Sequence, residues 1–115
     1  MSEPDLFQVA IGPHAVADID LIAAYLSEHA GPEAARDFMD QLLARIASLE
    51  NFPFRGSEPK ELSADNPGGY RQVLLGRHRI FYRVRGSTVT IVLVADGRRD
   101  MEALLRDRLQ ADPPA

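Results

Sequence analysis

A glycine–proline pair, Gly31–Pro32, separates two stretches in which apolar residues recur at helical spacing, and this junction limits the fold more than any other feature. Before it, Ala15, Ile19, Ile22 and Leu26 recur at steps of four, three and four, with Asp18, Asp20, Ser27 and Glu28 falling mostly off the stripe. Pro13 suits the first turn of this helix, and Gly31 supplies a left-handed stop. His29 falls in its last turn, where an imidazole serves as a cap or a solvated residue. Pro32 and Glu33 then open a second helix, whose stripe is Ala35, Phe38, Leu42, Ile46 and Leu49, widened by Met39 and Leu43. So short a connection folds the two helices back as an antiparallel hairpin. Neither helix buries its stripe fully against the other, so a sheet must cover the rest.

The sheet is legible on both sides of the hairpin. Leu6 to Ile11 alternates loosely and stops at Gly12-Pro13, which predicts a short first strand. Downstream, Tyr70 to Leu75, Arg77 to Val84 and Thr88 to Ala95 are separated only by Gly76 and by Arg85-Gly86-Ser87, connections that demand antiparallel hairpins. In the middle run His78, Ile80, Tyr82 and Val84 point one way, and Arg77, Arg79, Phe81, Arg83 and Arg85 the other. This predicts one core face and one face of guanidinium groups. The last run is apolar on both sides, with Val89, Ile91 and Leu93 set against Val92 and Val94, as in a central strand covered on both faces. From Phe52 to Gly69 the chain reads as a long loop, pinned to the core by Phe52 and Phe54. Asp100 is placed to cap a short final helix with Met101, Leu104, Leu105 and Leu109 on one side, before a frayed tail at residues 111–115. The expected fold is α+β, in the order β-α-α-β-β-β. A helix hairpin packs on a mainly antiparallel four-stranded sheet, with a short C-terminal helix, in one domain over residues 1–110.

A chain of 115 residues suits a single domain. It has no cysteine, which excludes disulfides, thiol nucleophiles and thiolate zinc sites, and its three histidines are far apart, so no metal or cofactor is expected. The first residues lack the basic region and apolar stretch of a signal peptide, and no aliphatic run is long enough to span a bilayer, so the reading is a soluble cytoplasmic protein without membrane contact. The net charge of −4 is unevenly divided. Residues 1–69 hold four basic and twelve acidic side chains, a balance of −8, whereas residues 70–109 hold nine arginines against four acids, a balance of +5. The C-terminal half therefore carries its own positive field, suited to an anionic partner. Twelve of the thirteen basic residues are arginine, whose planar fork recognises carboxylate or phosphate bidentately.

In this order of elements, several stretches resemble the RelE/ParE toxin superfamily, also called plasmid-stabilisation proteins. They are Asp20-Leu21-Ile22-Ala23-Ala24-Tyr25-Leu26 and, in the second helix, Ala35 and Phe38. Phe52-Pro53 followed by Gly56, Gly76 to Val84, and Gly97-Arg98-Arg99-Asp100 complete the set. The resemblance covers nearly the whole chain. It implies the toxin of a type II toxin–antitoxin pair, held inactive by a cognate antitoxin, a small ParD-like protein, bound over the helices and sheet. Within the superfamily the choice lies between a poison of DNA gyrase, like ParE, and a ribosome-dependent mRNA endonuclease, like RelE. A third possibility is a homologue that retains antitoxin binding without toxicity.

Cleavage of RNA by a 2′-hydroxyl needs a base, an acid and cations that stabilise the phosphorane. The residues available for it are His78, Tyr82 and Arg83, but the pattern places His78 and Tyr82 on the core face, and the only lysine is Lys60 in the loop. A protein working on the ribosome and its mRNA is also expected to be basic overall. Inhibition by contact needs only a shaped and charged surface, for which Arg77, Arg79, Arg83, Arg98 and Arg99 are the candidates. The ParE-like reading is therefore preferred. For the antitoxin, the apolar positions in excess of what a small domain covers, Leu42, Leu43, Ile46, Leu104 and Leu105, are the expected docking surface.

Overall fold

The computed structural model describes residues 6–62 and 66–111. Strand β1 (Gln8–Ile11) is followed by helix α1 (Pro13–Ala30) and helix α2 (Pro32–Ala47), then by β2 (Tyr70–Leu75), β3 (His78–Arg85), β4 (Thr88–Asp96) and helix α3 (Met101–Ala111). The strands form one sheet in the order β1-β4-β3-β2. β1 runs parallel to β4, and the other two pairings are antiparallel. This is the α+β fold expected from the order of elements. α3 extends to Ala111, one residue into the expected tail, whose other four residues lie outside those described. No helix among the described residues is long and apolar enough to cross a membrane.

The hairpin turns where its residues allow. Gly31 has φ +96° and ψ 157°, a region open in practice only to glycine. Its N–H donates to the Ser27 carbonyl, and Pro32 enters the first turn of α2. α1 and α2 then cover one face of the sheet, where Ala15, Ile19, Leu42, Ile46 and Leu49 meet Val73, Ile80, Tyr82, Val89, Ile91 and Val94.

The other face differs from its sequence reading as a plain guanidinium surface. α3 lies across it, and Met101 and Leu105 pack with Tyr70, Phe81, Val92, Leu93 and Ala95 in a second core. Fully burying Phe81 contributes roughly 2–3 kcal/mol at the usual yield per apolar area. The cap expected for α3 is present, since the Ala103 N–H donates to the Asp100 carboxylate at 3.2 Å. A β-bulge also alters β4. Phe81 is opposite Leu93 but Tyr82 is opposite Ile91, so Val92 is the extra residue. Leu93 therefore faces α3 and Val94 faces the hairpin, the reverse of the strict alternation expected for them.

β1 is too short to cover β4, because its pairing ends at Ile91. Two side chains satisfy the edge beyond. The Val94 N–H donates to the Asp18 carboxylate at 3.0 Å, and Arg108 Nη1 donates to the Val92 carbonyl at 2.8 Å. Arg108 also forms a bidentate pair with Asp18, at 2.7 and 2.8 Å. One near-buried ion pair thus ties α1 and α3 to the sheet edge.

The long loop is fastened differently from expectation. Phe52 and Phe54 remain exposed, while Pro53, Gly56 and Pro59 are buried. Gly56 donates its N–H to Tyr82 Oη at 3.0 Å, and Ser57 bridges to Gln72 through two backbone hydrogen bonds. A Cβ on Gly56 would fall 2.5 Å from the Gln72 carbonyl oxygen and 2.6 Å from Tyr82 Oη, so only glycine fits there.

Candidate functional site

At the end of the sheet where β3 begins and β4 ends, the chain turns twice within a small space. Gly76, at φ +59°, turns β2 into β3, and the Gly97 N–H donates to the Arg77 carbonyl at 2.7 Å just after β4. A Cβ on Gly97 would approach the Arg77 carbonyl oxygen to 3.1 Å and the Arg79 side chain to 3.2 Å, so the glycine permits this close crossing. The two turns place Arg77, Arg98 and Arg99 on the rim of one cleft of about 550 Å³. α1 supplies the apolar wall through Leu21, Ile22, Tyr25 and Leu26. Leu21 is 72% exposed and Tyr25 62%, although both are large and apolar in body.

The floor of the cleft is polar and ordered. Asp96 accepts from the Arg98 backbone N–H at 2.9 Å, from Nε at 3.2 Å and from Nη2 at 3.0 Å. These bonds from Arg98 hold the Asp96 carboxyl down at about 2, so it is charged at any physiological pH. His78 stands opposite Asp96 in the strand register and leans on the Phe38 ring at 4.9 Å. Its pKa is lowered, first by burial and then by Arg77 and Arg98, with Asp96 opposing; the imidazole is neutral near pH 7. Three guanidinium groups therefore face one carboxylate, already bonded to Arg98. On the α1 side, Tyr25 stacks on His29 with ring centroids 4.1 Å apart, and His29 Nδ1 lies 3.0 Å from the Tyr25 carbonyl oxygen.

The five arginines expected to contact a target do not stay together. Arg77, Arg98 and Arg99 are exposed, and Arg98 keeps 74% of its side chain in solvent despite its pairing. Arg79 is neutralised internally. Its Nη1 and Nη2 donate to Glu61 at 2.9 and 2.8 Å, its Nε donates to Gln72 at 2.6 Å, and its guanidinium lies 4.7 Å over the Phe81 ring. The side chain is only 13% exposed, so the expectation of a target contact is withdrawn for it. Arg83 projects from the α3 face into a separate cavity of about 310 Å³ beside Thr90, Val92 and Ala111. Its Nε and Nη1 are covered and without a hydrogen-bond partner among the described residues, so it adds nothing to the exposed patch.

The nuclease candidates are not gathered either. Tyr82 is fully buried, its hydroxyl accepts from Gly56, and burial pushes its pKa up. His78 belongs to the cleft and Arg83 to the opposite face of the sheet, so no shared reaction centre forms among the three. Among the described residues no group of three or more histidine, aspartate or glutamate side chains is placed to hold a metal ion. Of the apolar positions expected to dock the antitoxin, Leu42, Ile46 and Leu105 are core residues and Leu104 is partly covered by the second core. Leu43 alone is exposed. The exposed apolar pair at the cleft, Leu21 and Tyr25, escaped the sequence reading as a surface feature. The signal was present: they lie four residues apart, beside the core stripe of α1.

The arrangement is a charged, partly apolar cleft, and comparison with known proteins places the chain that carries it. The family described as ParE toxin of type II toxin-antitoxin system, parDE, matches residues 9–101. Toxin ParE1 of Caulobacter vibrioides is 38% identical over 80 residues, which cover 70% of this chain and 78% of that protein. Among solved structures, the chromosomal ParDE toxin–antitoxin system of P. aeruginosa superposes with a TM-score of 0.67 at 20% identity, covering 81% of this chain and 98% of that one. A match over that span, with such a relative, places this chain in the ParE family, as the toxin of a type II toxin–antitoxin system.

Proposed function

We propose that this toxin arrests growth in the cytoplasm by binding DNA gyrase through the rim of the cleft, with Arg77, Arg98 and Arg99 as the contacting cations, and that a cognate ParD-like antitoxin restrains it. The observation that carries this reading is the sorting of charge. Of the five arginines expected to contact a target, the three left in solvent, Arg77, Arg98 and Arg99, line one cleft at one end of the sheet, while His78, Tyr82 and Arg83 are dispersed. A surface of this kind acts by steering and fit, because exposed charges on a rim raise the rate of encounter and fix the register of docking.

Purified toxin is expected to block supercoiling by gyrase while leaving message intact on programmed ribosomes. Arg77→Glu and Arg99→Glu are expected to relieve the block. Codon-linked cleavage of message, or growth arrest with supercoiling untouched, overturns the gyrase assignment. Unharmed growth when the chain is expressed without its partner favours a homologue that only binds antitoxin.

A further inference from the structure

We infer that the sheet face opposite the hairpin carries a binding site for a compact oxyanion, a phosphate or a carboxylate, seated on Arg83. This surface is separate from the cleft, and the inference goes beyond the gyrase reading. It begins from hydrogen bonds that are missing. Among the described residues, the covered side-chain polar atoms without a partner are Tyr70 Oη and Arg83 Nε and Nη1. Tyr70 and Arg83 stand opposite each other in the β2–β3 ladder, so the deficit is concentrated on one patch of the sheet. The other partly buried arginines all have acceptors. Arg45 meets the Leu74 carbonyl, Arg71 the carbonyls of Phe54 and Gly56, and Arg79 and Arg108 each take a carboxylate through two nitrogens. Arg83 alone is withdrawn from water with its donors unmet, which is costly for a charged group.

Space for an acceptor lies beside it. The cavity of about 310 Å³ is walled by Arg83, Thr90, Ile91, Val92 and Ala111, and by Gly12 and Pro13 where α1 begins. No carboxylate of the described residues lines it, and Arg83 is the charged side chain on its wall. Thr90, opposite Arg83 in the β3–β4 ladder, adds a hydroxyl. α1 has Pro13 at its start, no side-chain cap and no acid in its first turn, so no carboxylate there offsets the positive end of the helix dipole. α3 ends at Ala111, where the negative end of its dipole favours the guanidinium but leaves Nε and Nη1 without a hydrogen bond. An oxyanion supplies what both lack, because its oxygens accept from the planar guanidinium in charge-assisted bonds that the apolar walls strengthen. One guanidinium between two helix ends takes a single anionic group rather than a run of phosphates. Such an occupant joins β3 and β4 to the start of α1 and the end of α3, and stabilises the folded toxin by mass action.

The test is titration of inorganic phosphate, and of acetate as the carboxylate probe, onto the purified chain in chloride buffer at constant ionic strength. Thermal unfolding is one readout, and the NMR resonance of the Arg83 Nε–H is the other, which needs no variant. Phosphate is expected to move that resonance saturably, and a tenfold excess over its dissociation constant to raise Tm by about 5 °C. Arg83→Met should fold at parent stability without phosphate and lose the rise, whereas Arg99→Glu on the cleft rim should keep it. Saturation by acetate as well identifies a general oxyanion site, and saturation by phosphate alone a phosphate site; both uphold the inference. A resonance that neither anion moves overturns it. So does a rise in Tm that persists in Arg83→Met, which marks general salt exclusion, or one lost in Arg99→Glu, which marks the cleft. Asp112 follows Ala111 in the sequence, so Asp112→Asn is the last control. If that change moves the Arg83 resonance before any anion is added, the acceptor is the chain's own carboxylate and the inference fails.

Discussion

Replacing Asp18 with alanine removes three hydrogen bonds at once, and their geometry sets the cost. The carboxylate takes the Val94 N–H at 3.0 Å and both Nη atoms of Arg108 at 2.7 and 2.8 Å. The side chains of Arg108 and Asp18 are 17% and 15% exposed, so most of the attraction is unscreened. Deleting one partner of a buried pair costs about 3–5 kcal/mol, and the residual exposure argues for the lower end. An orphaned backbone N–H at Val94 adds about 1 kcal/mol. The total of about 4 kcal/mol is a large part of the roughly 5–15 kcal/mol that holds a domain folded. It corresponds to a fall of about 15 °C in Tm, at about 4 °C per kcal/mol for a domain of this length. Urea unfolding followed by circular dichroism measures it. A cycle with Arg108→Met and the double variant isolates the coupling, which should reach at least about 1 kcal/mol. A loss below about 1 kcal/mol for Asp18→Ala, or a double variant that is simply additive, would refute the idea that this pair closes the open edge of β4.

Three further outcomes are expected. Tyr82→Phe strands the buried Gly56 N–H and should cost about 1–3 kcal/mol in urea unfolding, and Gly56→Ala should cost more because its Cβ has no room. A stability profile against pH should show two declines of separate origin. The pKa of His78 lies below 6.5 in the folded protein, so the unfolded chain takes up its proton first, and stability present above about pH 6.5 declines below it; His78→Asn flattens this step. Asp96 is depressed from 3.8 to about 2, so its pairing with Arg98 contributes above pH 3.8 and is lost as pH falls toward about 2, a step that Asp96→Asn abolishes. Arg83→Met should be neutral or stabilising by about 1 kcal/mol, since it exchanges covered, unbonded nitrogens for a thioether of similar reach, and it should leave growth arrest intact. A clear destabilisation or a harmless toxin in that variant would show that Arg83 does hold a partner.

The elements and their order were legible because each rests on a local pattern. Stripes at helical spacing flank Gly31-Pro32, and two short turns separate three strands. What escaped the sequence depends on contacts between remote residues. Asp18 fell off the apolar stripe, yet it turns toward a sheet edge left open by a four-residue β1. Arg79 is neutralised by Glu61, which lies in the loop and has no periodic relation to it. The bulge at Val92 could not be read from Ile91 to Ala95, because an unbroken apolar run has no alternation to disturb. In contrast, the second core was within reach. Met101, Leu104, Leu105 and Leu109 formed an apolar side that needed a partner, and Phe81 stood among the arginines as the matching one.

The position of the cleft follows from how the fold distributes partners among its arginines. An arginine in the middle of a strand is flanked by neighbouring strands and by whatever covers the face, so Arg79 meets Gln72 on β2, Glu61 in the loop and the ring of Phe81. Arg77 in the β2–β3 turn and Arg99 in the β4–α3 connection stand exposed beyond the strands, and Arg98 pairs with Asp96, two residues away, without leaving solvent. Three exposed guanidinium groups therefore share one cleft where the β2–β3 and β4–α3 connections meet, and α1 passes this point with Leu21 and Tyr25 turned away from the core. A cationic rim against an apolar helix face is thus a consequence of the strand order and of the hairpin that lies over it. A change of charge in the middle of β3, at Arg79, is therefore felt first in stability, through Glu61 and Gln72.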